Sequence, residues 1–291
     1  MATFIETSEK PVSSGTAVRT MRKFLRHPLG MAGLTYLAIV IIVAILAPHI
    51  APNDPEQLFY ESILSPPSAA FPFGTDEIGR DILSRLIFGA RVSLQVVGGA
   101  IATALVIGAA IGMVSGYVGG AVDSVIMRIM DGMLTFPLLI LALGIISILG
   151  PSLSNAMIAI AVVNIPEFAR IVRGQTLLVR EQDFVLATQA LGGSSMRILL
   201  FHIWPNVAGN MIIYASLRAS SALIIESSLA FLGLGVPPPT PTWGQMLATS
   251  LQYSSSWWMS IFPGLAIFLG ALSFNFIGDG LRDALDRRIS E

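Results

Sequence analysis

The chain has 291 residues, of which 54% are hydrophobic and only 12% are charged, and its formal net charge is −1. Soluble domains average about 25% charged residues, so this composition excludes an ordinary soluble domain and predicts an all-α, polytopic membrane protein. The near-zero net charge indicates neither a nucleic-acid partner nor an acidic tail, and the absence of cysteine excludes both a disulfide framework and a thiolate metal site.

The first predicted elements are a polar tail, residues 1–28, and an apolar segment, residues 29–51. The segment has roughly the 20 apolar residues that a helix needs to cross a bilayer. A signal peptide would have a shorter apolar core and would start nearer the beginning, so we predict a retained first span. The positive-inside rule places the tail in the cytoplasm. Its basic residues are Lys10, Arg19, Arg22, Lys23 and Arg26.

Residues 52–90 are predicted to form an extracytoplasmic loop that ends in an amphipathic helix. Thr75 is the predicted N-cap of this helix, residues 75–88, and acidic residues follow in the first turn, where a helix end is positive. Apolar residues line the opposite face, which is typical of a helix lying in the membrane plane. Oppositely charged residues stand four apart on the polar face: Asp76 with Arg80 and Asp81 with Arg85.

Residues 91–280 are predicted to contain five further spans. The second span lies within the uncharged run 92–122, where Gly108, Gly112 and Gly116 recur every four residues. Such a stripe of small residues lets the backbone of another helix approach closely. The remaining spans are predicted at about residues 121–150, 153–171, 207–235 and 259–277.

The fifth predicted span carries two ionisable residues, Arg218 and Glu226. Charges at membrane depth are costly and usually face a protein interior or a watery cavity. Their spacing separates them by about 12 Å along the helix and about 80° around it, so they face one side of the bundle without pairing. Two interpretations stay open. Either each residue bonds a neighbouring helix, with Arg218 reaching Asp131, or the two border a solute pathway.

Between the fourth and fifth spans, residues 180–206 are predicted to form a hairpin of two short helices. The first helix carries apolar residues at helical spacing and ends at Gly192, which favours the left-handed conformation of a helix end. Ser194 or Ser195 can cap the second helix. Pro205 is expected to end that helix, because proline removes a helical donor.

The distribution of charge orients the six spans. With both termini in the cytoplasm, the cytoplasmic segments hold thirteen of the seventeen basic residues, and the reverse topology would place those thirteen outside. The positive-inside rule therefore predicts a cytoplasmic hairpin and a cytoplasmic C-terminal segment, residues 281–291. The polar, tryptophan-edged stretch 236–258 then lies outside, on the same side as residues 52–90.

The hairpin resembles the cytoplasmic coupling loop of ATP-binding-cassette (ABC) importer permeases. Ala187, Gly192 and Pro205 match the alanine, the glycine and the final proline of that loop, and Ser195 lies within it. The ending His202-Ile-Trp-Pro-Asn has the form found in the peptide/nickel branch of these permeases.

A second stretch, GTDEIGRDILSR, resembles another signature of the same branch and contains Asp76, Gly79, Arg80, Asp81 and Arg85. The stretches GLGVPPPTPTWGQML and FNFIGDGLRDALDRR resemble the family as well, so the likeness runs from about residue 73 to the end. The coupling loop departs from the general pattern in two places. Leu186 and Thr188 replace the usual glutamate and alanine, and His202 and Trp204 replace aliphatic residues.

The resemblance implies a permease subunit of the dipeptide/oligopeptide/nickel importer family, of the second-permease or C type. It implies the type I importer fold with six transmembrane helices in the bacterial inner membrane. The implied partners are a second related permease, two ATPase subunits that carry ATP and magnesium, and an extracytoplasmic substrate-binding protein. This chain would bind no cofactor or metal itself. Peptides are the expected cargo, and nickel complexes, glutathione or another small solute are the alternatives.

The sequence offers no catalytic constellation. A phosphate-binding GxxxxGK[ST] loop requires a lysine, and the only two lysines, Lys10 and Lys23, lie in the tail without the glycine pattern. No HExxH motif for zinc is present. An ion-coupled secondary carrier is the least favoured alternative. Such carriers often show internal repeats and midplane acids, whereas we find no repeat and only Glu226 well inside a span.

Overall fold

The computed structural model describes residues 20–285, and these are almost entirely helical. The predicted tail up to residue 19 and the end of the predicted C-terminal segment, residues 286–291, lie outside the described residues. A short 3-10 helix, Tyr60–Ser62, lies in the first long loop. The α-helices are α1 (Pro28–Ile50), α2 (Ile82–Val118), α3 (Gly120–Leu134), α4 (Leu138–Leu149), α5 (Leu153–Arg180), α6 (Asp183–Ala190), α7 (Ser195–Ile198), α8 (Trp204–Phe231), α9 (Trp243–Ser250) and α10 (Trp258–Leu285).

By length and composition, five helical units in residues 20–285 could cross a membrane, and a bent pair of helices gives a sixth candidate when it is counted as one span. Five are single apolar helical units: α1, α2, α5, the continuous α7–α8 unit and α10. The sixth is the pair α3 and α4, which are bent by 93° relative to each other. The sequence predicted one span over this stretch. The break falls at Pro137, because proline has no N–H to donate and disfavours helical backbone at the residue before it.

The glycine stripe of α2 packs directly on α5, as predicted. A Cβ at Gly108 would lie 2.6 Å from Cβ of Phe168, and a Cβ at Gly112 would lie 2.4 Å from the carbonyl oxygen of Ala169. At this separation only glycine fits. The α5 span is the most deeply buried of the candidate spans, and α1 is the least. The α2–α5 contact therefore forms the centre of the bundle.

The prediction of a separate amphipathic helix over residues 75–88 is wrong, although residues 82–88 are helical. Residues Thr75 and Asp81 instead close a tight turn through an isolated antiparallel bridge, and α2 begins at Ile82 and continues unbroken into the span. Gly79 has a φ of +85°, a left-handed conformation that a right-handed helix cannot contain. The N-cap is Asp81, whose carboxylate accepts from the N–H groups of Leu83 and Ser84.

Pro205 does not end the second helix of the hairpin, contrary to the prediction. A π-helical turn, Leu199–Ile203, follows α7, and the chain runs directly into α8 with Pro205 in its first turn. Proline is tolerated in a first turn because its missing N–H would have no helical partner there.

The helix α9 lies in the stretch 236–258, where no helix was predicted. Thr242 caps it by accepting from the N–H of Gln245 at 3.2 Å. The sequence Thr-x-x-Gln is a capping-box pattern and would have indicated this helix. The helix is held between two spans: Trp243 Nε1 donates to the carbonyl of Leu86 at 3.0 Å, and a Cβ at Gly244 would lie 2.6 Å from Cα of Ser227.

The close approach of α2 and α5 predicts the outcome of Gly112→Ala. The added methyl group would force the two backbones apart, and such overpacking costs about 1–3 kcal/mol. We expect a lower melting temperature of the purified protein and a lower yield in the membrane.

Gly98→Ala is the matched control on the same helix. Gly98 is exposed, and a Cβ there meets no described atom within 4 Å, so its effect should stay within about 0.5 kcal/mol. Equal stability of the two variants would show that α2 and α5 do not pack through the stripe.

Candidate functional site

The predicted hairpin is present as α6, a turn at residues 191–194, and α7. Gly192 has a φ of +79°, the left-handed conformation expected of it. Ser194 caps the second helix by accepting from the N–H of Arg197 at 3.4 Å. A glycine with this backbone conformation sets the direction of the chain between the two helices, because other residues rarely adopt it.

The hairpin is anchored by buried side chains and carries apolar side chains on its surface. Val185, Ile198 and Ile203 are fully buried. Leu191 at the tip is 89% exposed. On a surface that faces water, exposed apolar clusters are typical of interaction sites. We call the following exposed residues the hairpin patch: Phe184, Leu186, Leu191, Met196, Leu200 and Phe201.

The hairpin residues that match the family's coupling loop lie close in sequence to the residues of the hairpin patch. Ala187, Gly192, Ser195 and Pro205 are exposed, and His202 is half-buried with its ring 6.2 Å from that of Phe184. The exposed positions are available to a partner. His202 packs within the hairpin instead.

Arginines of α5 tie the hairpin end of this helix to α2 and α3. Arg170 pairs with Asp131, and Arg173 pairs with Asp123, each at 2.5 Å. Arg180, the last residue of α5, donates to the carbonyl of Gly116 at 2.9 Å. Charge-assisted hydrogen bonds thus connect the hairpin end of α5 to both α2 and α3.

A second polar cluster lies at the start of α2 and is called here the outer turn, residues 74–85. Asp76 is its centre. One oxygen of this carboxylate accepts from the N–H of Arg80 at 2.8 Å and the other from Nε of Arg80 at 2.6 Å. Arg85 lies 3.5 Å from the same carboxylate and donates to the carbonyl of Pro55. The predicted pair of Asp76 with Arg80 is present.

Asp81 does not pair with Arg85 as predicted, because its carboxylate is occupied by the cap of α2 and by the hydroxyl of Ser84 at 2.6 Å. Gly79 fits only as glycine: a Cβ there would lie 2.3 Å from the carbonyl oxygen of Phe59. The signature residues of this stretch thus build one compact turn.

Glu77 in the same turn lies in an environment that disfavours the ionised form of its carboxyl group. Its carboxylate accepts from Nη2 of Arg80 at 3.0 Å, and its side chain is 17% exposed. Burial raises the pKa of Glu77 above its ordinary value, and the neighbouring Asp76 carboxylate raises it further, against the opposing effects of Arg80 and Arg85.

Arg218 does not pair with Asp131, which pairs with Arg170. Its guanidinium instead bonds the carboxylate of Glu167 on α5, and its Nε donates to the hydroxyl of Tyr214 at 2.8 Å. The hydroxyl of Tyr214 donates to Glu167 in turn. Glu167 and Tyr214 were not predicted as partners of Arg218, although the four-residue spacing of Tyr214 and Arg218 would have placed them on one helix face.

Glu226 is enclosed within the chain. Its side chain is 2% exposed and receives hydrogen bonds from the hydroxyls of Ser93 and Ser227, each at 3.4 Å, while Oε1 has no partner among residues 20–285. The structure does not bring Arg218 and Glu226 together. Each contacts a neighbouring helix, α5 for the arginine and α2 for the glutamate.

Comparison with protein families gives two matches. The profile described as "Binding-protein-dependent transport system inner membrane component" matches residues 105–291. The profile described as "N-terminal TM domain of oligopeptide transport permease C" matches residues 17–67. Together they cover the first span and most of the remaining helices.

Curated relatives align over nearly the whole chain. The dipeptide transport system permease protein DppC of Alkalihalophilus pseudofirmus is 43% identical over 97% of this chain and 94% of that protein. The di/tripeptide transport system permease protein DppC of Pseudomonas aeruginosa is 41% identical over 92% of this chain and 91% of its own length. The glutathione transport system permease protein GsiD of Escherichia coli is 42% identical, with 92% and 89% covered.

The raised pKa of Glu77 predicts a pH-dependent effect of Glu77→Gln. A carboxyl with a raised pKa in the folded state contributes stability below its unfolded pKa, and this contribution is lost as pH rises through the folded pKa. Glutamine keeps an acceptor for Arg80 without the charge. We expect the variant to melt above wild type at about pH 8, and the difference to shrink towards about pH 4.

Glu61→Gln, at an exposed residue of the same loop, is the control and should change the melting temperature little at either pH. A Glu77→Gln protein that melts below wild type at the higher pH would show that the charged form of Glu77 stabilises the outer turn.

Proposed function

The chain belongs to the family of binding-protein-dependent transport system inner membrane components, and on that premise we propose that it imports peptides. In this proposal it forms, with a second related permease, the translocation path for dipeptides and oligopeptides across the inner membrane. The names of the dipeptide and di/tripeptide relatives support this cargo. A glutathione permease of similar identity makes glutathione the second candidate.

The observation that carries the mechanism is the hairpin patch. We propose that it docks on one of two separate ATPase subunits, which hold ATP and magnesium, and that this chain is not itself an enzyme. The patch exposes apolar side chains that water solvates poorly, and it is held by three buried anchors. The arginine contacts of α5 would then pass movement of the hairpin to α2 and α3.

The positive-inside distribution of basic residues supports an orientation with both termini and the hairpin in the cytoplasm. The outer turn and α9 would then lie outside, where they would form the surface that meets an extracytoplasmic substrate-binding protein. The two segments lie close together and line a common cavity, which supports a single docking surface.

The two ionisable residues of α8 are proposed to differ in role. The side chains of Arg218 and Glu167 are 23% and 19% exposed, so they reach the surface of this chain and are proposed to border the path shared with the second permease. Glu226 is enclosed by α2 and α8, and its contacts favour a structural role. Replacing Arg218 would therefore alter transport, whereas replacing Glu226 would alter assembly.

The hairpin proposal predicts a difference between Gly192→Val and Gly192→Asn. A β-branched residue is a strong outlier at positive φ, whereas asparagine tolerates that conformation. No described atom would touch the new Cβ, so the effect arises from the backbone alone. We expect Gly192→Val to stay in the membrane but to lose at least about tenfold in uptake of a labelled dipeptide, a change of about 1.4 kcal/mol in coupling.

Gly192→Asn should retain most of the uptake. Uptake is measured in cells that lack the native chain, with unlabelled glutathione as competitor to rank the two candidate cargoes. Normal uptake and normal ATPase association in Gly192→Val would refute the coupling role of the hairpin.

A further inference from the structure

A cavity of about 250 Å³ lies between the outer turn and α9 and is called here the outer cavity. Two acids and two arginines of the outer turn line one side: Asp76, Glu77, Arg80 and Arg85. Gln245 and Thr249 of α9 line the other side. The remaining walls are largely apolar and include Met246 and Met259.

The charged groups of the outer cavity are only partly used within the chain. The carboxylate of Asp76 is filled by Arg80, Arg85 and backbone N–H groups. Glu77 accepts one hydrogen bond from a side chain, at Oε1, and no described side chain donates to its Oε2. Arg80 and Arg85 each keep one terminal nitrogen without an acceptor in the described part of the chain.

An amide oxygen on the opposite wall also lacks a donor. Oε1 of Gln245 is buried and has no hydrogen-bond partner in residues 20–285. A buried acceptor left unpaired costs about 1–3 kcal/mol. A ligand that donates a hydrogen bond here would remove that cost, so this atom points to an occupant that carries N–H groups.

The free groups define the chemistry of that occupant. Guanidinium nitrogens bind carboxylates through paired hydrogen bonds, and an ammonium group has three donors for the oxygens of Glu77 and Gln245. Free hydrogen-bonding positions remain on groups of both signs, Glu77 and the two arginines, so a single cation or anion would use only one of the two kinds. The volume is below the about 300–1,000 Å³ of drug-sized sites, so the ligand is small.

We propose that the outer cavity binds a zwitterionic dipeptide, with the ammonium group at Glu77 and Gln245 and the carboxylate at Arg80 and Arg85. The assignment rests on the proposed function, since it places a cargo site on the face that would receive peptide from the binding protein. It adds to that function a recognition of both free peptide ends by the permease itself. Peptides whose terminal ammonium or carboxylate group is chemically blocked would then be imported poorly.

Binding to the assembled transporter in nanodiscs, without the binding protein, tests the proposal. The probes are alanyl-alanine, its N-acetyl form and its C-terminal amide. Binding of each probe is measured by isothermal titration calorimetry. We expect binding of the free dipeptide, and at least about tenfold weaker binding of either blocked form. Glu77→Gln and Gln245→Leu should each weaken binding of the free dipeptide by a similar factor.

Glu61→Gln, on the same loop but outside the cavity, should bind like wild type. Absent binding by wild type, equal binding of the blocked peptides, or unchanged affinity in folded Glu77→Gln and Gln245→Leu proteins would each overturn the proposal. If dipeptide uptake with the binding protein is intact in that case, only the cavity assignment fails. If the wild-type complex imports no dipeptide at all, the proposed function fails as well.

Discussion

The backbone-to-backbone approach of α2 and α5 is the constraint on which the rest of the structure depends. A lipid bilayer gives apolar helices little reason to associate, so spans are held by close packing of small residues and by polar contacts. Gly108, Gly112 and Gly116 supply the close packing, and Arg180 of α5 supplies a polar contact near one end by donating to the carbonyl of Gly116. Other spans pack around this pair.

The same pair connects the two ends of the molecule. The helix α2 has 37 residues, which corresponds to about 55 Å at 1.5 Å per residue. One of its ends carries the outer turn and the outer cavity, and Gly116 near its other end accepts a hydrogen bond from Arg180, which precedes the hairpin. A single rigid element thus lies between the proposed peptide-receiving face and the proposed ATPase-docking face. Membership of the transport family identifies this arrangement of helices as that of a permease subunit.

The sequence predicted the spans, the glycine stripe and the hairpin, because each leaves a local or periodic pattern. It did not predict the features that depend on distant contacts. Asp81 replaced Thr75 as the cap of α2 because Thr75 is held by loop residues and by Trp258. Arg218 pairs with Glu167 on α5. This pair could not be predicted, because the hydrophobic periodicity does not specify how α5 is rotated relative to α8. Pro205 was predicted to end a helix, but it lies in the first turn of α8. Proline is compatible with both positions, so the residue alone does not distinguish them.

The central claim is that the hairpin patch is where this permease meets its ATPase. The chain contains no cysteine, so a single cysteine can carry a benzophenone photo-crosslinker in the assembled complex. Leu191→Cys, at a position 89% exposed, should crosslink to an ATPase subunit, whereas Ile63→Cys, 47% exposed in the first long loop, should not. A crosslink from Ile63→Cys, or none from Leu191→Cys in an intact complex, would contradict the account.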